Sequence, residues 1–529
     1  MPVCFESIPS PALAAGDSAA APICVLQLAR LGDFLQSTPL LAALRRRHPG
    51  RPLVMVVNPA QEPLARACPL VDRVVVVHSD ALQGLLAGGG PVSPSDRQRW
   101  RELTAPLAEL RPAEVYNLNL SRLAGRLAGF WPRAHQGAWR LMPGGRLVNR
   151  PWVRLVMNLV ADRRLTRLHL CDILASYADP PGPPLARLCQ EVAPPARQRA
   201  ARLLGGGNSP LVVLQLGANS DLRRWPLQSF AGLARELLAW GARPVLVGSA
   251  GEAGLGRRLR RMLGKAAGGV CDLMGRTDLP TLTAVLERAA LVVSGDTGTL
   301  HLATAVGAPV LALFMGPAQV HETGPYGEGH LVLQARDACG PCQEQNPACQ
   351  GRAPCRRLLS PELVWRAARG LLEGATAEQV GSALEPAPGV QVWQSRLDLF
   401  GQRYRPLRPL PLSEQDALAL ALREAGRVLM RSNYRPEPER LAAELSGEYL
   451  PPAAPLRDEL RDLAQGGAEL VRVVGQAERT ELEAFLRRWP RLAFLGALAL
   501  EGEVDRLPAA CRAARQVLQA AADLMWGEK

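Results

Sequence analysis

The residues whose types and spacing could do chemistry lie first in Leu291–His301, LVVSGDTGTLH. A short apolar run ends at Ser294; a glycine, an acid, a threonine and a second glycine follow, and His301 comes five residues after Asp296. That order predicts a buried parallel strand turning into a helix whose first turn meets an anion. Asp296 then sits at the strand's carboxyl end. Thr297 and His301, four apart, share a face of the helix. The free N–H groups of that first turn, at Thr297-Gly298, with the helix dipole, favour a phosphate-like charge; a plain turn with an N-cap is the other reading. A second candidate is Asp33, in Leu31-Gly32-Asp33 after an earlier apolar run. A carboxylate in that loop can take a proton from an attacking hydroxyl as general base; the same position also suits an N-cap aspartate.

Further polar groups follow two other apolar runs. Leu211–Gln215 leads into Leu216-Gly217-Ala218-Asn219-Ser220 and then Asp221-Leu222-Arg223-Arg224-Trp225-Pro226. Asn219 and Ser220 offer hydrogen bonds, and Arg223 and Arg224 can neutralise phosphate charge; a solvated basic loop over a buried tryptophan is the plainer reading. Pro244–Val247 runs into Gly248–Glu252, where Glu252 can hold a ribose diol or sit unliganded at a helix start. Cys339, Cys342, Cys349 and Cys355 form the one cysteine cluster. The first pair has metal-ligand spacing and the second does not, so a zinc site and a reduced or disulfide-stitched loop both stand.

The elements that must position these residues alternate. Ile23–Leu26, Leu53–Val57, Val74–Val77 and Val115–Leu118 read as strands with helices between, the pattern of a parallel sheet with crossover helices. A proline-rich linker near 180–207 precedes a second series: strands at Leu211–Gln215, Pro244–Val247, Leu291–Ser294 and Pro309–Phe314, with helices between. Ligands of such sheets bind at the carboxyl ends of the strands. The expected organisation is therefore a disordered 1–21, a first Rossmann-like domain over 22–190, a second over 191–375, a linker at 376–390 and an all-α extension over 391–529. Helical periodicity recurs in that extension at Glu414–Arg427, Pro438–Leu445, Leu456–Leu463, Glu481–Arg488 and Ala509–Met525.

Composition narrows the function. At 529 residues the chain exceeds one core. Its net charge is +13, yet Lys265 and Lys529 are its only lysines, so each arginine is a weak signal by itself. The charge favours acidic partners such as nucleotide phosphates or anionic headgroups. With 5% aromatic residues there is no stacking platform for nucleic acid. The first twenty residues lack a basic start and a long apolar core, and no window of about 18 apolar residues occurs. Seven of the eleven cysteines are scattered singly, which suits a reducing compartment. A cytoplasmic protein is expected, with peripheral contact at the inner face of the membrane.

Several motifs agree in order and spacing with a known family. Ile23–Leu41 (ICVLQLARLGDFLQSTPLL), Gln215–Pro226 (QLGANSDLRRWP), Ser294–His301 and Phe314–Gly327 (FMGPAQVHETGPYG) resemble the motifs of glycosyltransferase family 9, the heptosyltransferases of lipopolysaccharide core synthesis. The resemblance covers about residues 22–375. It implies an α/β GT-B fold, two Rossmann-like domains facing a cleft, with acceptor on the first and nucleotide-sugar donor on the second. It implies inverting, metal-independent transfer without a cofactor, with Asp33 as catalytic base. Asn219, Ser220 and Arg223 then belong to the donor-phosphate loop, Glu252 to the ribose, and Asp296, Thr297, Gly298 and His301 to the donor's sugar and diphosphate. The implied partners are ADP-heptose and a glycan or glycolipid acceptor. Gln27 stands where the family often has arginine, and Arg223 where lysine is usual; the two are not equivalent phosphate ligands. The family's lipopolysaccharide enzymes lack a counterpart to residues 390–529. A family 9-like transferase with another donor, or with a protein or polymer acceptor, is the first alternative; a non-catalytic binding or scaffold protein is the second.

Overall fold

Short runs of valine, isoleucine and leucine, apolar on both faces, form the strands because helices cover both sides of each sheet. In the computed structural model, the first sheet comprises β1 (Ile23–Gln27), β2 (Leu53–Val57), β3 (Arg73–Val76), β4 (Glu114–Asn117) and β5 (His135–Gln136). Its order is β3-β2-β1-β4-β5, parallel throughout. The second sheet comprises β6 (Leu211–Gln215), β7 (Arg243–Val247), β8 (Cys271–Asp272), β9 (Leu291–Ser294), β10 (Val310–Phe314), β11 (Leu331–Ala335), β12 (Val390–Asp398) and β13 (Gly401–Pro406). Its order is β8-β7-β6-β9-β10-β11-β12-β13. Both sheets reverse direction of growth beside their first strand, between β1 and β4 and between β6 and β9. Those switch points open crevices at the strands' carboxyl ends, where the candidate loops lie. The structure describes residues 21–86, 93–142, 145–148, 166–178, 182–336, 342, 349, 352–386, 388–430, 438–450, 454–476 and 507–522.

Seven helices matter below: α1 (Leu31–Gln36), α2 (Leu170–Ala175), α3 (Gly298–Ala305), α4 (Glu414–Met430), α5 (Pro438–Glu448), α6 (Ala454–Gln476) and α7 (Leu507–Ala522). The crossover to the second sheet ends in helix Pro194–Leu204, whose two leading prolines fall in the first turn, where a missing N–H costs nothing.

The all-α extension expected from residue 391 is helical only from Glu414. Before that, β12 and β13 form a hairpin that pairs antiparallel with β11. Val390, Val392 and Tyr404 are buried in a stretch of apolar and polar residues, and β12 is buried on both faces from Val392 to Ser395. The hairpin also covers β11, which would otherwise be an open sheet edge. Residues 376–390, expected as a linker, carry helix Ala377–Ala383, opened by a Thr376–Gln379 capping box. The first twenty residues and the helix expected at Glu481–Arg488 lie outside the described residues. Among the described residues no helix is long and apolar enough to cross a membrane.

Candidate active site

The loop after β1 presents Asp33. Helix α1 begins at Leu31 because Asp33, at its third position, accepts the Arg30 backbone N–H on Oδ2 at 2.9 Å. The N-cap itself is Arg30, not Asp33 as the plainer reading has it; Asp33 serves as the third-position partner of a capping box, but that is not its whole situation. Burial pushes its carboxyl above the usual carboxylate range; the Arg30 N–H and charge oppose this, and the Asp296 carboxylate of the second domain adds to it. Asp33 lines a cleft of about 670 Å³ in the first domain, walled by Leu118 and Leu120 after β4 and by Leu170 and Leu174 of α2.

Amide side chains hold this loop rigid. Asn119 Oδ1 accepts the Leu28 N–H at 2.7 Å while its Nδ2 donates to the Leu26 carbonyl at 2.9 Å. Asn58 Nδ2 donates to the Leu28 carbonyl at 3.0 Å and Gln61 Nε2 to that of Arg30 at 2.9 Å. Gln27, buried, donates to the Asp33 carbonyl at 3.3 Å. Sequence reading missed Asn58, Gln61 and Asn119. The available signal was an amide residue just past the carboxyl ends of β2 and β4.

In the second domain, β9 ends at buried Ser294, and Asp296 and Thr297 follow. Thr297 occupies the N-cap of α3, but its hydroxyl lies 3.1 Å from Ser294 Oγ and no side chain caps the helix. The N–H groups of that amino end thus have no side-chain cap. Arg223 meets Asp296, Nη1 to Oδ2, at 2.6 Å, with side chains 13% and 7% exposed. Gln215, at the end of β6, accepts the Thr299 hydroxyl at 2.8 Å and so fixes α3 to its own sheet.

The remaining candidates divide. Ser220 caps the turn Asp221–Arg223, its Oγ accepting the Leu222 N–H at 3.3 Å, and Asn219 is exposed beside it. Glu252 Oε2 accepts from Ser249 N and Oγ at 2.9 and 2.8 Å. Its carboxylate lies over Gly217, where a Cβ would fall 1.7 Å from Oε1, so a side chain there would displace the carboxylate. The loops after β6 and β7 are thereby joined. His301 does not project into open space: it is 3% exposed, and its Nε2 lies 2.8 Å from Gln36 Nε2 of α1. Burial lowers its pKa to about 4, so at neutral pH it brings no charge to an anion. Gly298 seats Leu31 of the first domain. Asp33, Arg223, Asp296, Thr297, Gly298 and His301 thus gather where α1 meets α3.

Cys339 lies outside the described residues. Cys355 is buried with Cys342, and Cys349 Sγ accepts the Ala353 N–H at 3.3 Å. Among the described residues no three His, Cys, Asp or Glu side chains are grouped to hold a metal ion.

Residues 166–351 match the family described as glycosyltransferase family 9 (heptosyltransferase). The chain is similar to lipopolysaccharide heptosyltransferase 2 of Escherichia coli, 25% identical over 316 residues, which span 59% of this chain and 87% of that protein. Among solved structures it is similar to a glycosyltransferase family 9 protein of Veillonella parvula, with TM-score 0.54 and 20% identity over 68% of this chain and all of that one. It is also similar to E. coli ADP-heptose lipopolysaccharide heptosyltransferase II, with TM-score 0.52 and 21% identity over 67% of this chain and 99% of that one. These likenesses give the fold, GT-B with two Rossmann-like domains, to which this chain adds a helical C-terminal region.

Proposed function

We propose that the chain is a member of glycosyltransferase family 9, an inverting transferase moving a heptose from ADP-heptose to a hydroxyl of a glycan or glycolipid acceptor of the lipopolysaccharide-core type. The observation that carries this reading is the approach of Asp33, in the first domain's cleft, to the uncapped amino end of α3 and its Arg223–Asp296 pair.

The acceptor occupies the cleft beside Asp33. Its hydroxyl gives a proton to the Asp33 carboxylate, whose raised pKa strengthens it as a base. The acceptor oxygen forms a bond to the anomeric carbon from the face opposite the diphosphate. The bond from that carbon to the β-phosphate oxygen breaks, the electron pair leaves with ADP, and configuration inverts. Charge developing on the diphosphate meets the N–H groups of Thr297–Gly298, the Arg223 guanidinium and Ser220. In this reading that replaces a metal ion. Glu252, above Gly217, takes the ribose, Asn219 lies at the rim, and Asp296 faces the sugar. The relatives named for ADP-heptose and lipopolysaccharide support donor and acceptor class, and the reaction belongs at the cytoplasmic face of the membrane.

A donor screen tests it. ADP-heptose at a hundred times its Kd should stabilise the fold by about 2.7 kcal/mol, read as a rise in melting temperature, and heptose should appear on a truncated core glycolipid. Stabilisation by a different nucleotide sugar and none by ADP-heptose would sink the heptose assignment.

A further inference from the structure

The contact between domains beside Asp33 is built from reciprocal notches. A Cβ on Gly32 would lie 2.9 Å from His301 Cδ2, and one on Gly298 would lie 2.6 Å from Leu31 Cδ2. Each helix therefore seats a side chain against the other's glycine. Inside this seam Gln36 is 2% exposed and His301 3%. With the ring uncharged, the Gln36 amide donates to it, its nitrogen 2.8 Å from Nε2 and 3.3 Å from Nδ1. Two buried polar groups that satisfy each other cost little; either alone would bear its full desolvation penalty. Gln36 lies one helical turn after Asp33 on α1, and His301 lies in the first turn of α3. The bond thus joins the helix that carries the carboxylate to the helix whose amino end faces it.

We propose that Gln36 is a positioning residue: held on His301, its amide fixes the reach of the Asp33 carboxylate to the amino end of α3. This rests on the role given to Asp33 under Proposed function. Gln36 acts through Asp33 and touches no reacting atom. Loss of the bond leaves the donor loops of the second domain intact, so it moves kcat and spares donor affinity.

Gln36→Met keeps the side-chain length and removes the amide. The expected result is a kcat per folded molecule lower by roughly 10- to 100-fold, since a misplacement of about 1 Å can cost that much, with donor KM little changed and the melting temperature lowered modestly by the unpaired ring. His301→Leu should lower kcat similarly, and the double variant should be no worse than the worse single, because the bond is already gone. A Gln36→Met enzyme with wild-type kcat, multiplicative losses in the double variant, or a His301→Leu effect confined to donor KM would each overturn the proposal. If Asp33→Asn also keeps full activity, the failure belongs to the base assignment. The seam is then judged without turnover, by amide hydrogen exchange on the full chain. Faster exchange at residues 31–36 and 298–305 in Gln36→Met upholds the tie, and unchanged exchange refutes it.

Discussion

The α1–α3 seam and the ion network of the C-terminal helices are both buried sets of polar and charged side chains, and they are balanced in opposite ways. In the network, Arg403, Arg423, Arg427 and Arg440 interleave with Asp398, Glu424, Glu444 and Glu448. Glu424 is fully buried, and Arg423 Nη2 meets Glu444 Oε1 at 2.6 Å. Burial pushes the Glu444 carboxyl up, but Arg423, Arg403 and Arg427 outweigh it and hold the pKa down to about 2. At the seam two carboxylates, Asp33 and Asp296, approach one another, and Arg223 is paired with Asp296. Asp33 is left with a raised pKa. Glu444 is thus locked in its charged form where it holds helices together, although burial raises Glu448 beside it, and Asp33 is kept easily protonated where a proton must move.

The comparison breaks most sharply at Asp33. Asn at this position can still accept the Arg30 N–H, so Asp33→Asn should keep the melting temperature while kcat falls by roughly 10²–10⁴-fold; unfolding and transfer assays on one preparation separate the two. The network should behave the other way. Arg423→Met leaves Glu424 and Glu444 buried and under-compensated, which should cost about 3–5 kcal/mol in denaturant unfolding, with kcat per folded molecule unchanged. A large activity loss there, with stability intact, would mean the extension takes part in the reaction.

Acid should expose a third, smaller contrast. Burial lowers His169 to about 3 and His301 and His330 to about 4. Each titrates near 6.5 when unfolded, so the unfolded chain binds more protons below that pH. Stability contributed by the three neutral rings is fully present above pH 6.5 and falls by about 1.4 kcal/mol per histidine for each pH unit towards 4. Melting temperatures between pH 7 and 4 should drop accordingly, and His301→Leu should flatten the slope. The smallest effect is at Ser220: Ser220→Ala removes a cap worth about 1 kcal/mol. A rise in donor KM beyond that local loss would mark it as a phosphate ligand.

Much of this was legible in the sequence where the cause is local. The strand–helix alternation, the turn after Ser294 and the loop carrying Asp33 each follow from short-range pattern, and the structure sets them at the two switch points. What was not legible is non-local. Gln36 reads as an ordinary polar helix residue, and its partner lies 265 residues away. His301 looks like an anion ligand on a helix face until α1 is laid over it. Asn58, Gln61 and Asn119 matter only because three strand ends converge. The β12–β13 hairpin was masked by the helical periodicity that follows it.

The central claim is that Asp33 is a half-buried base, held above its ordinary pKa, acting across the seam. The measurement that tests it most directly is the pH dependence of kcat/KM, which reports the free enzyme's essential groups. Wild-type transfer should rise with pH along an acid limb centred above the ordinary aspartate value of about 3.9, and the small residual activity of Asp33→Asn should lack that limb. An acid limb that persists unchanged in Asp33→Asn would assign the base to another residue and contradict the account.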